Sequence, residues 1–303
     1  MKNFKLSFTD STTFAGKDLE GFYASALLKG VSKETFRLIP DLKSKAKIAK
    51  LNLGSIVQDA DCTFSGAGEG TLLQKEVEAH DIKINLSYCL RTWERNYLSQ
   101  ALRPGSNTGE LMPASVEEFL LQEVGKQVAA ELEKVTWAGT ASTPNFTAEA
   151  GLISKLGADS DVVDVAGATL SASNIIAEIG KVYSAIPATI LNSDELVIYL
   201  STAASAFYRQ ALAAASAETF YMQNHTELTY LGVPIVVAPG MPTNKMVAGE
   251  KTNFLLLTDL MSDFNDVLIL PQRGVTGVPE VRFVADMKFG VNYIYGAEVV
   301  LYA

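Results

Sequence analysis

The chain has 303 residues, of which 48% are apolar and 19% are charged. This length and composition allow a large hydrophobic core and exclude a disordered protein. The formal net charge is −9, but residues 1–50 are basic, with ten Lys or Arg against five Asp or Glu. No apolar run approaches the roughly 18 residues of a membrane span, and the first residues lack the apolar core of a signal peptide. We therefore expect a cytoplasmic protein that has no membrane partner.

Residues 1–45 are predicted to form an extended arm with short helices around 19–29 and 33–38. At the end of the arm lies a basic cluster that consists of Lys43, Lys45, Lys47 and Lys50. Because no aromatic residue lies between these lysines, the cluster does not have the pattern of a nucleic-acid-binding surface. Two interpretations remain, a solvated arm or an arm that docks on an acidic neighbour through salt-sensitive contacts.

Segment 46–90 is predicted to form a protruding two-stranded β-ribbon. Its second limb alternates between apolar and polar residues from Ile82 to Leu90, as expected of a strand with one buried face. The glycine-rich stretch 64–70 interrupts the segment, and we interpret it as a flexible tip that can remould against a neighbouring surface. A two-stranded ribbon is marginally stable alone, so this segment needs a partner surface.

The strongest helix signal in the chain follows the ribbon. Ser115-Val-Glu-Glu118 is a capping box, placed directly before apolar residues at helical spacing. Those apolar residues are Val116, Leu120, Val124, Val128, Leu132 and Val135. The helix is predicted to run from Val116 to Trp137, before Gly139, with a length of about 33 Å. We interpret it as a structural spine.

Residues 150–280 are predicted to form a compact α+β domain of short alternating elements. The predicted helices are 171–186 and 202–215, with a helical turn at 259–264. The predicted strands are 196–200, 228–231, 233–238, 254–257 and 267–270.

From Val281 to Leu301 every odd-numbered residue is apolar, whereas several even positions are charged or polar. This alternation predicts a long β-ribbon with one buried face. At about 3.3 Å per residue an unbroken strand would span roughly 70 Å, which is far longer than a usual strand. We therefore expect Gly290 and Gly296 to bend or bulge the ribbon.

The sequence contains no recognisable catalytic centre. His80 and His225 have no nucleophile motif near them, and the glycine-rich stretch lacks the Lys-Ser/Thr of a phosphate-binding loop. No set of Asp, Glu or His residues has metal-ligand spacing, and Cys62 and Cys89 are interpreted as reduced thiols. Lys75 lies near the ribbon tip, where a lysine could form an isopeptide bond, but no asparagine partner is identifiable. We expect a protein that is not an enzyme, with no catalytic residue, metal or cofactor.

The order of these elements resembles the tailed-phage major capsid protein, whose HK97-like fold is shared with encapsulins. The resemblance covers essentially the whole chain and is clearest in two stretches, VEEFLLQEVGKQVAAELEKVTWAG at 116–139 and VRFVADMKFGVNYIYGAEVVLY at 281–302. It implies an α+β fold of the HK97-like capsid type with four parts. These parts are an N-terminal arm (1–45), an extended β-ribbon loop or E-loop (46–90), a peripheral or P domain (91–149 and 281–303, with the spine helix at 115–137) and an axial or A domain (150–280).

The resemblance implies a subunit that self-assembles into pentamers and hexamers of an icosahedral phage head enclosing double-stranded DNA without specific binding. The implied partners are copies of itself, a portal and a separate scaffolding protein, with a decoration protein as a further candidate. The alternative to a separate scaffolding protein is a coiled-coil N-terminal extension that was removed before this sequence was defined. The implied location is the virion, after assembly in the host bacterial cytoplasm. The candidate inter-subunit contacts are Phe64, Gly66, Gly68 and Gly70 at the loop tip and Lys43, Lys45 and Lys47 in the arm.

Two other functions stay open. The first is an encapsulin-type cellular shell, which would load cargo enzymes instead of DNA, although the polar stretch 7–17 fits a capsid arm better than the N-terminal helix of an encapsulin. The second is a soluble α+β enzyme, which the scarce histidines and the missing nucleophile motif argue against. Such an enzyme would be a monomer or dimer with a deep polar pocket.

Overall fold

Two mixed β-sheets, a separate two-stranded ribbon and four α-helices make up the regular structure of the described residues. The computed structural model describes residues 12–14, 34–40, 42, 45–53, 57, 70–89, 114–139, 146–215, 228–258, 267–272, 276–278 and 280–303. The strands are β1 (Thr12–Phe14), β2 (Arg37–Ile39), β3 (Lys45–Leu53), β4 (Gly70–Glu78), β5 (His80–Cys89), β6 (Val163–Val165), β7 (Leu196–Ser201), β8 (Leu228–Tyr230), β9 (Val233–Ala238), β10 (Met246–Glu250), β11 (Phe254–Leu257), β12 (Val267–Pro271), β13 (Glu280–Tyr293) and β14 (Val300–Tyr302). The helices are α1 (Ala114–Ala138), α2 (Leu152–Gly157), α3 (Ile175–Ala185) and α4 (Thr202–Ala215), with 3₁₀ turns at Lys251–Asn253 and Gly296–Glu298.

Strand β13 is the centre of the first sheet. The strand order is β1-β12-β13-β11-β2, and β5 also pairs with β13, antiparallel from Phe289 opposite His80 to Glu280 opposite Cys89. Every odd-numbered residue of β13 from Val281 to Tyr293 is buried, whereas Arg282 and Asp286 are exposed. The alternation predicted from the sequence is confirmed for this strand, because its odd-numbered side chains fill the core.

The predicted terminal ribbon extends to Tyr293 as one strand, and the chain then leaves the first sheet. The chain turns through Gly296–Glu298, and β14 then joins the second sheet between β6 and β10. All three residues of β14 are buried, so this strand has apolar neighbours on both faces and fits the interior of a second sheet. The bend expected at Gly296 is therefore confirmed, whereas Gly290 lies within the continuous register of β13, opposite Leu257.

The second sheet forms a layer between two hydrophobic cores. Its order is β6-β14-β10-β7-β9-β8, and its strand β7 is buried along its whole length, as predicted. Leu196, Ile198 and Leu200 contact the core that contains α3 and α4. The alternate residues Val197 and Tyr199 belong to the core shared with α1 and β13, because successive side chains of a strand point to opposite faces.

The helices of this layer follow the sequence closely. Helix α4 has the predicted bounds, Thr202–Ala215. Helix α3 begins at Ile175, later than predicted, because the residues before it form a turn in which the Ser171 N–H donates a hydrogen bond to Asn174 Oδ1 at 2.8 Å. The chain leaves α3 at Ile186, which has an extended backbone, as expected before Pro187.

Helix α1 is the predicted spine, and it packs between the sheets. Val124, Val128, Leu132 and Val135 are buried in one stripe, as the helical spacing predicts. The helix begins at Ala114, so Ser115 lies in its first turn, whereas the capping-box prediction placed it at the N-cap. It ends before Gly139, whose φ of 54° is the left-handed conformation typical of a helix C-terminus.

Four aromatic rings join the two sheets to α1. Phe36 stacks on Phe254 at 5.3 Å between ring centroids, and Trp137 lies 5.1 Å from Tyr199. The Tyr199 hydroxyl donates a hydrogen bond to Thr35 Oγ1 at 3.0 Å, and burial raises the pKa of Tyr199. The rings come from the segment before β2, from β11, from α1 and from β7, so one core belongs to both sheets.

The N-terminal predictions are met in part. The helix predicted at 33–38 is wrong beyond Thr35, since Arg37–Ile39 is a strand that pairs in parallel with β11. Sheet pairing overrides the weak local helix signal there. The helix predicted at 19–29 and the turn at 259–264 lie outside the described residues. In the part of the chain that the structure describes, no helix is long and apolar enough to span a membrane.

Candidate functional site

Strands β3 and β4 form the element that we regard as the candidate site, and we call it the ribbon. They pair antiparallel through nine cross-strand pairs, from Lys45 opposite Glu78 at the base to Leu53 opposite Gly70 at the distal end. The predicted second limb, Ile82–Leu90, is not part of it. Its residues 82–89 belong to β5 and pair with β13, so the prediction of that limb is wrong. Alternation fits a core strand and a ribbon strand equally well, which is why sequence alone could not separate them.

The inner face of the ribbon is seated on the first sheet. Val77 has 1% of its surface exposed and packs in a small apolar cluster with Ala46, Ile48, Leu255 and Leu257. The base of the ribbon also approaches β13 closely. A Cβ atom on Gly290 would lie 2.4 Å from the backbone oxygen of Glu78, so only glycine fits there without movement.

Lys75 makes the first polar anchor of the ribbon. Its Nζ lies 3.1 Å from the centre of the Tyr293 ring and 3.3 Å from Asp159 Oδ2. The Tyr293 hydroxyl donates a hydrogen bond to the same Oδ2 at 2.5 Å, and this bond is the main cause that lowers the pKa of Asp159. Burial is the main cause that raises the pKa of Tyr293 and that lowers the pKa of Lys75.

Lys50 makes the second polar anchor. Its Nζ lies 2.7 Å from Glu298 Oε1 and 2.8 Å from Oε2, and 4.4 Å from the centre of the Tyr295 ring. Both anchors therefore combine a carboxylate with an aromatic face, the two groups that attract an ammonium ion most strongly. Both rings come from residues 293–298, which we call the crossover segment because it links the first sheet to the second.

The outer face of the ribbon is solvated. Near the base, Lys45 pairs with Glu76 at 3.0 Å and with Glu78 at 3.1 Å, and these hydrogen bonds raise the pKa of Lys45. Toward the distal end the face becomes apolar. Leu51 and Leu72 lie opposite each other and are 57% and 56% exposed. The two leucines form a small apolar patch on this face.

The predicted contact residues are distributed differently from the expectation. Lys45 and Lys47 lie in β3, so they belong to the ribbon and not to the arm. Gly70 is the first residue of β4. Lys43, Phe64, Gly66 and Gly68 lie outside the described residues.

The contacts that anchor the ribbon were not found from the sequence. Asp159, Tyr293 and Glu298 carry no motif, and Lys50 is 248 residues from Glu298. One local signal was present in β3. Ala46, Ile48 and Lys50 share one face of the strand, and they alternate with the exposed residues of the other face.

Groups with catalytic potential form a structural network. Glu149, which is fully buried, lies 2.6 Å from Lys155 Nζ and accepts hydrogen bonds from the N–H groups of Gly151 and Val291. His80 Nε2 lies 4.0 Å from the same carboxylate. Lys155 also donates to the Val291 backbone oxygen at 2.6 Å. These contacts join α2, β5 and β13, which explains the cluster as a structural junction.

The other reactive residue types give no centre in the described ranges. Cys89 is a free, exposed thiol, and Cys62 and His225 lie outside the described residues. No group of three His, Cys, Asp or Glu in the described part of the chain could hold a metal ion. The exposed Leu51–Leu72 pair makes the ribbon the candidate interaction surface.

Known proteins with the same fold were found among solved structures. No protein-family model and no curated protein matches the sequence. A chain of the satellite phage P4 procapsid that includes the size determination (Sid) protein has a TM-score of 0.59 and 12% identity, over 94% of this chain and 96% of that chain. The capsid of an empty GTA particle has a TM-score of 0.61 and 15% identity, over 92% and 89% of the two chains. A virus-like particle from Pyrococcus furiosus has a TM-score of 0.50 and 11% identity, over 92% and 96%.

These matches define the class of fold. The described helices and strands form a mixed α+β structure, and the similarity extends over more than nine tenths of the chain. The protein has the fold of phage capsid proteins. The resemblance to the tailed-phage major capsid protein is therefore confirmed at the level of fold, as is the α+β class.

Proposed function

We propose that the protein is a major capsid protein, a non-enzymatic subunit that self-assembles into the shell of a phage head. The observation that carries the proposal is the fold similarity to the P4 procapsid and the GTA capsid over 94% and 92% of the chain. In this proposal the HK97-like layout applies, with an arm at 1–45, an extended loop that contains the ribbon, a P domain at 91–149 and 281–303 to which β5 is added by its pairing with β13, and an A domain at 150–280. The virion is the proposed location, after assembly in the host bacterial cytoplasm.

The proposed assembly consists of pentamers and hexamers. A head-to-tail contact repeated around an axis closes into rings, and one sequence can occupy both ring sizes when flexible segments connect a rigid body. The net charge of −9 suits a shell that encloses double-stranded DNA without binding it tightly. A scaffolding protein, a portal and a decoration protein are the proposed partners besides other copies of the chain.

The outer face of the ribbon is the proposed contact with a neighbouring copy. The inner face is covered by the first sheet, whereas the Leu51–Leu72 pair leaves an apolar part of the outer face exposed. Covering both leucines would contribute about 1 kcal/mol or more for each side chain. Lys45 and Lys47 at the base would meet acidic residues of an acidic neighbour.

The direct test is electron microscopy of the purified protein together with size-exclusion chromatography. Closed icosahedral particles, or rings of five and six subunits, are the expected result. A discrete monomer or dimer that stays unassembled in high salt and with a candidate scaffolding protein would overturn the proposal.

The ribbon contact has its own test. Leu51→Thr with Leu72→Thr should leave a folded chain that forms few shells, because a hydroxyl replaces the apolar group at the contact. Leu51→Val with Leu72→Val is the matched control, since Val and Thr have nearly the same shape and strand preference. Shell yield by electron microscopy and folding by circular dichroism are measured for both. Equal yields from the two double variants would contradict the contact.

A second candidate is an encapsulin-type cellular shell. The similarity to the virus-like particle from Pyrococcus furiosus, over 92% of this chain, favours this candidate. The contents of purified shells separate the two functions. Double-stranded DNA inside the shells would support the phage capsid, and a packaged enzyme would support the cellular shell.

A further inference from the structure

We propose that Lys50 and Lys75 are positioning residues that set the angle at which the ribbon leaves the body of the protein. Each lysine anchors the inner face of the ribbon to the crossover segment. The inference rests on the proposed capsid function, because the angle matters where the ribbon must reach a neighbouring copy. It concerns contacts within one chain, so it can be tested without a shell.

The two anchors lie on the same face of the ribbon, in cross-strand pairs separated by the Ala49–Gln74 pair. Lys75 is opposite Ile48, and Lys50 is opposite Leu73. One contact would leave the ribbon free to rotate about that point. Because the anchors use different lysines, on different strands, and different rings of the crossover segment, Tyr293 and Tyr295, together they fix a direction.

The receiving side of both anchors is held in place by a buried side chain. Asn253 is 4% exposed, its Nδ2 donates to the Tyr295 backbone oxygen at 2.9 Å, and its Oδ1 accepts from the N–H groups of Ile294 and Tyr295. Asp159 Oδ1 accepts from the Asp161 N–H at 3.1 Å, which orients this carboxylate. Groups oriented before contact lose little freedom when a lysine binds to them.

The apolar contacts between the ribbon and the first sheet do not fix the angle of the ribbon in the same way. Val77 and its neighbours are held by the hydrophobic effect, which depends on buried area and not on orientation. Hydrogen bonds and cation–π contacts depend on geometry. The apolar cluster and the hydrogen bond from the Asn292 amide to the Glu76 backbone oxygen therefore hold the base of the ribbon, and the lysines orient the part beyond the base.

The electrostatics of Lys75 agree with a role in orientation. Burial lowers its pKa although Asp159 acts in the opposite direction, so the site does not favour the charged amine overall. A partly buried ion pair of this kind adds little net stability, since replacement of both of its members by apolar residues is often neutral. A lysine at this position is better explained by the geometry of its contacts than by their contribution to folding.

Beyond the Lys50–Leu73 pair, no anchor of this kind is described on the ribbon. Leu51 and Leu72 follow directly, and both are exposed. Leu53 lies about 10 Å beyond Lys50 at 3.3 Å per residue. A rotation of roughly 10° at the anchors would therefore displace the end of β3 by about 2 Å, enough to disturb a close-packed contact.

The test is a distance measurement by pulsed EPR between spin labels on the ribbon and on α1. Labels are placed at Leu72→Cys, an exposed position of the ribbon beyond both anchors, and at Ala130→Cys, an exposed position of α1, in a full chain that carries Cys62→Ser and Cys89→Ser. The unassembled fraction is isolated by size exclusion. Lys50→Met with Lys75→Met removes both charges and keeps the apolar stems. Lys45→Met with Lys47→Met is the matched control, because it removes two charges from the outer face of the same strand pair.

The lysine pairs should give different results. The width of the distance distribution should increase roughly twofold in Lys50→Met with Lys75→Met, because the ribbon then samples several angles, and stay unchanged in the control. Asp159→Asn with Glu298→Gln neutralises the carboxylates that the two lysines contact, and it should broaden the distance distribution in the same way. This second variant tests the inference if the lysine variant fails to fold. Unchanged distributions in the folded anchor variants would overturn the inference. Absence of shells from the native chain would instead count against the proposed function, and the distances would still decide the role of the lysines.

Discussion

Glu149 shows how a single buried charge can organise a junction. Its carboxylate has no exposed surface, so it has lost its water and depends on Lys155 and on two backbone N–H groups. A charge in this position is tolerated only when such partners replace water. His80 is part of the same junction. It is the first residue of β5, directly after the ribbon, and its Nε2 lies next to the Glu149 carboxylate.

At this scale we predict that Glu149→Gln destabilises the protein by about 3 kcal/mol, because it leaves the Lys155 ammonium beside a neutral group. The control is Glu123→Gln on α1, where both members of the pair with Lys126 are more than 60% exposed. That change should have an effect below about 0.5 kcal/mol. Urea unfolding measures both. A loss at Glu149 no larger than the loss at Glu123 would show that the buried pair contributes little.

At the scale of elements, the ribbon and β13 meet backbone to backbone. The absence of a side chain on Gly290 allows the Glu78 carbonyl to approach, and the Asn292 amide donates to the Glu76 backbone oxygen at 3.3 Å. The base of the ribbon is thus held against the first sheet, whereas its distal end carries exposed leucines. One element is therefore rigid at one end and open to a partner at the other.

We predict that Gly290→Ala destabilises the protein by about 1–3 kcal/mol, since the new methyl group meets a backbone atom that cannot easily move. Gly157→Ala is the control. Its new methyl group would lie 3.7 Å from Leu301, an ordinary contact, at the end of α2. Alanine there should be neutral or stabilise by up to about 1 kcal/mol. The midpoints of thermal unfolding compare the two, and equal midpoints would contradict the close approach at Gly290.

At the scale of the whole molecule, the two sheets share a core. Phe36, Trp137, Tyr199 and Phe254 come from four parts of the chain and are all buried. Gly240, in the turn after β9, also lies against the α1 backbone, since a Cβ there would be 2.1 Å from the Glu133 oxygen. Neither sheet can lose its packing without exposing the other.

We therefore expect one cooperative unfolding transition, with coincident curves by fluorescence and circular dichroism. Phe36→Ala should lower the stability by about 3–5 kcal/mol and keep the transition single. The exposed Val278→Ala should change it by less than about 0.5 kcal/mol. Two separate transitions in the native chain would show that the sheets unfold independently.

The sequence predicted elements with a strong local period and missed their long-range partners. The alternation of β13 and the helical stripe of α1 depend only on residues that are close in sequence, and both predictions are confirmed. The sequence of an alternating strand does not identify the strand with which it pairs. Residues 82–89 were therefore assigned to the ribbon, although they pair with β13. The anchor residues were missed for the same reason. Asp159 and Glu298 are ordinary acidic residues until the fold brings lysines to them.

The pairing of β5 with β13 also affects how the chain is made. About 190 residues separate Cys89 from its partner Glu280, and a similar number of residues separates β2 from its partner β11. At a synthesis rate of about 5–20 residues per second, β5 leaves the ribosome roughly 10–40 s before β13 exists. During that time an apolar strand face stays uncovered in a crowded cell, and such faces aggregate or are bound by chaperones. The rate at which the protein becomes available is then set by the completion of β13, and its yield by how well the earlier strands are protected until then.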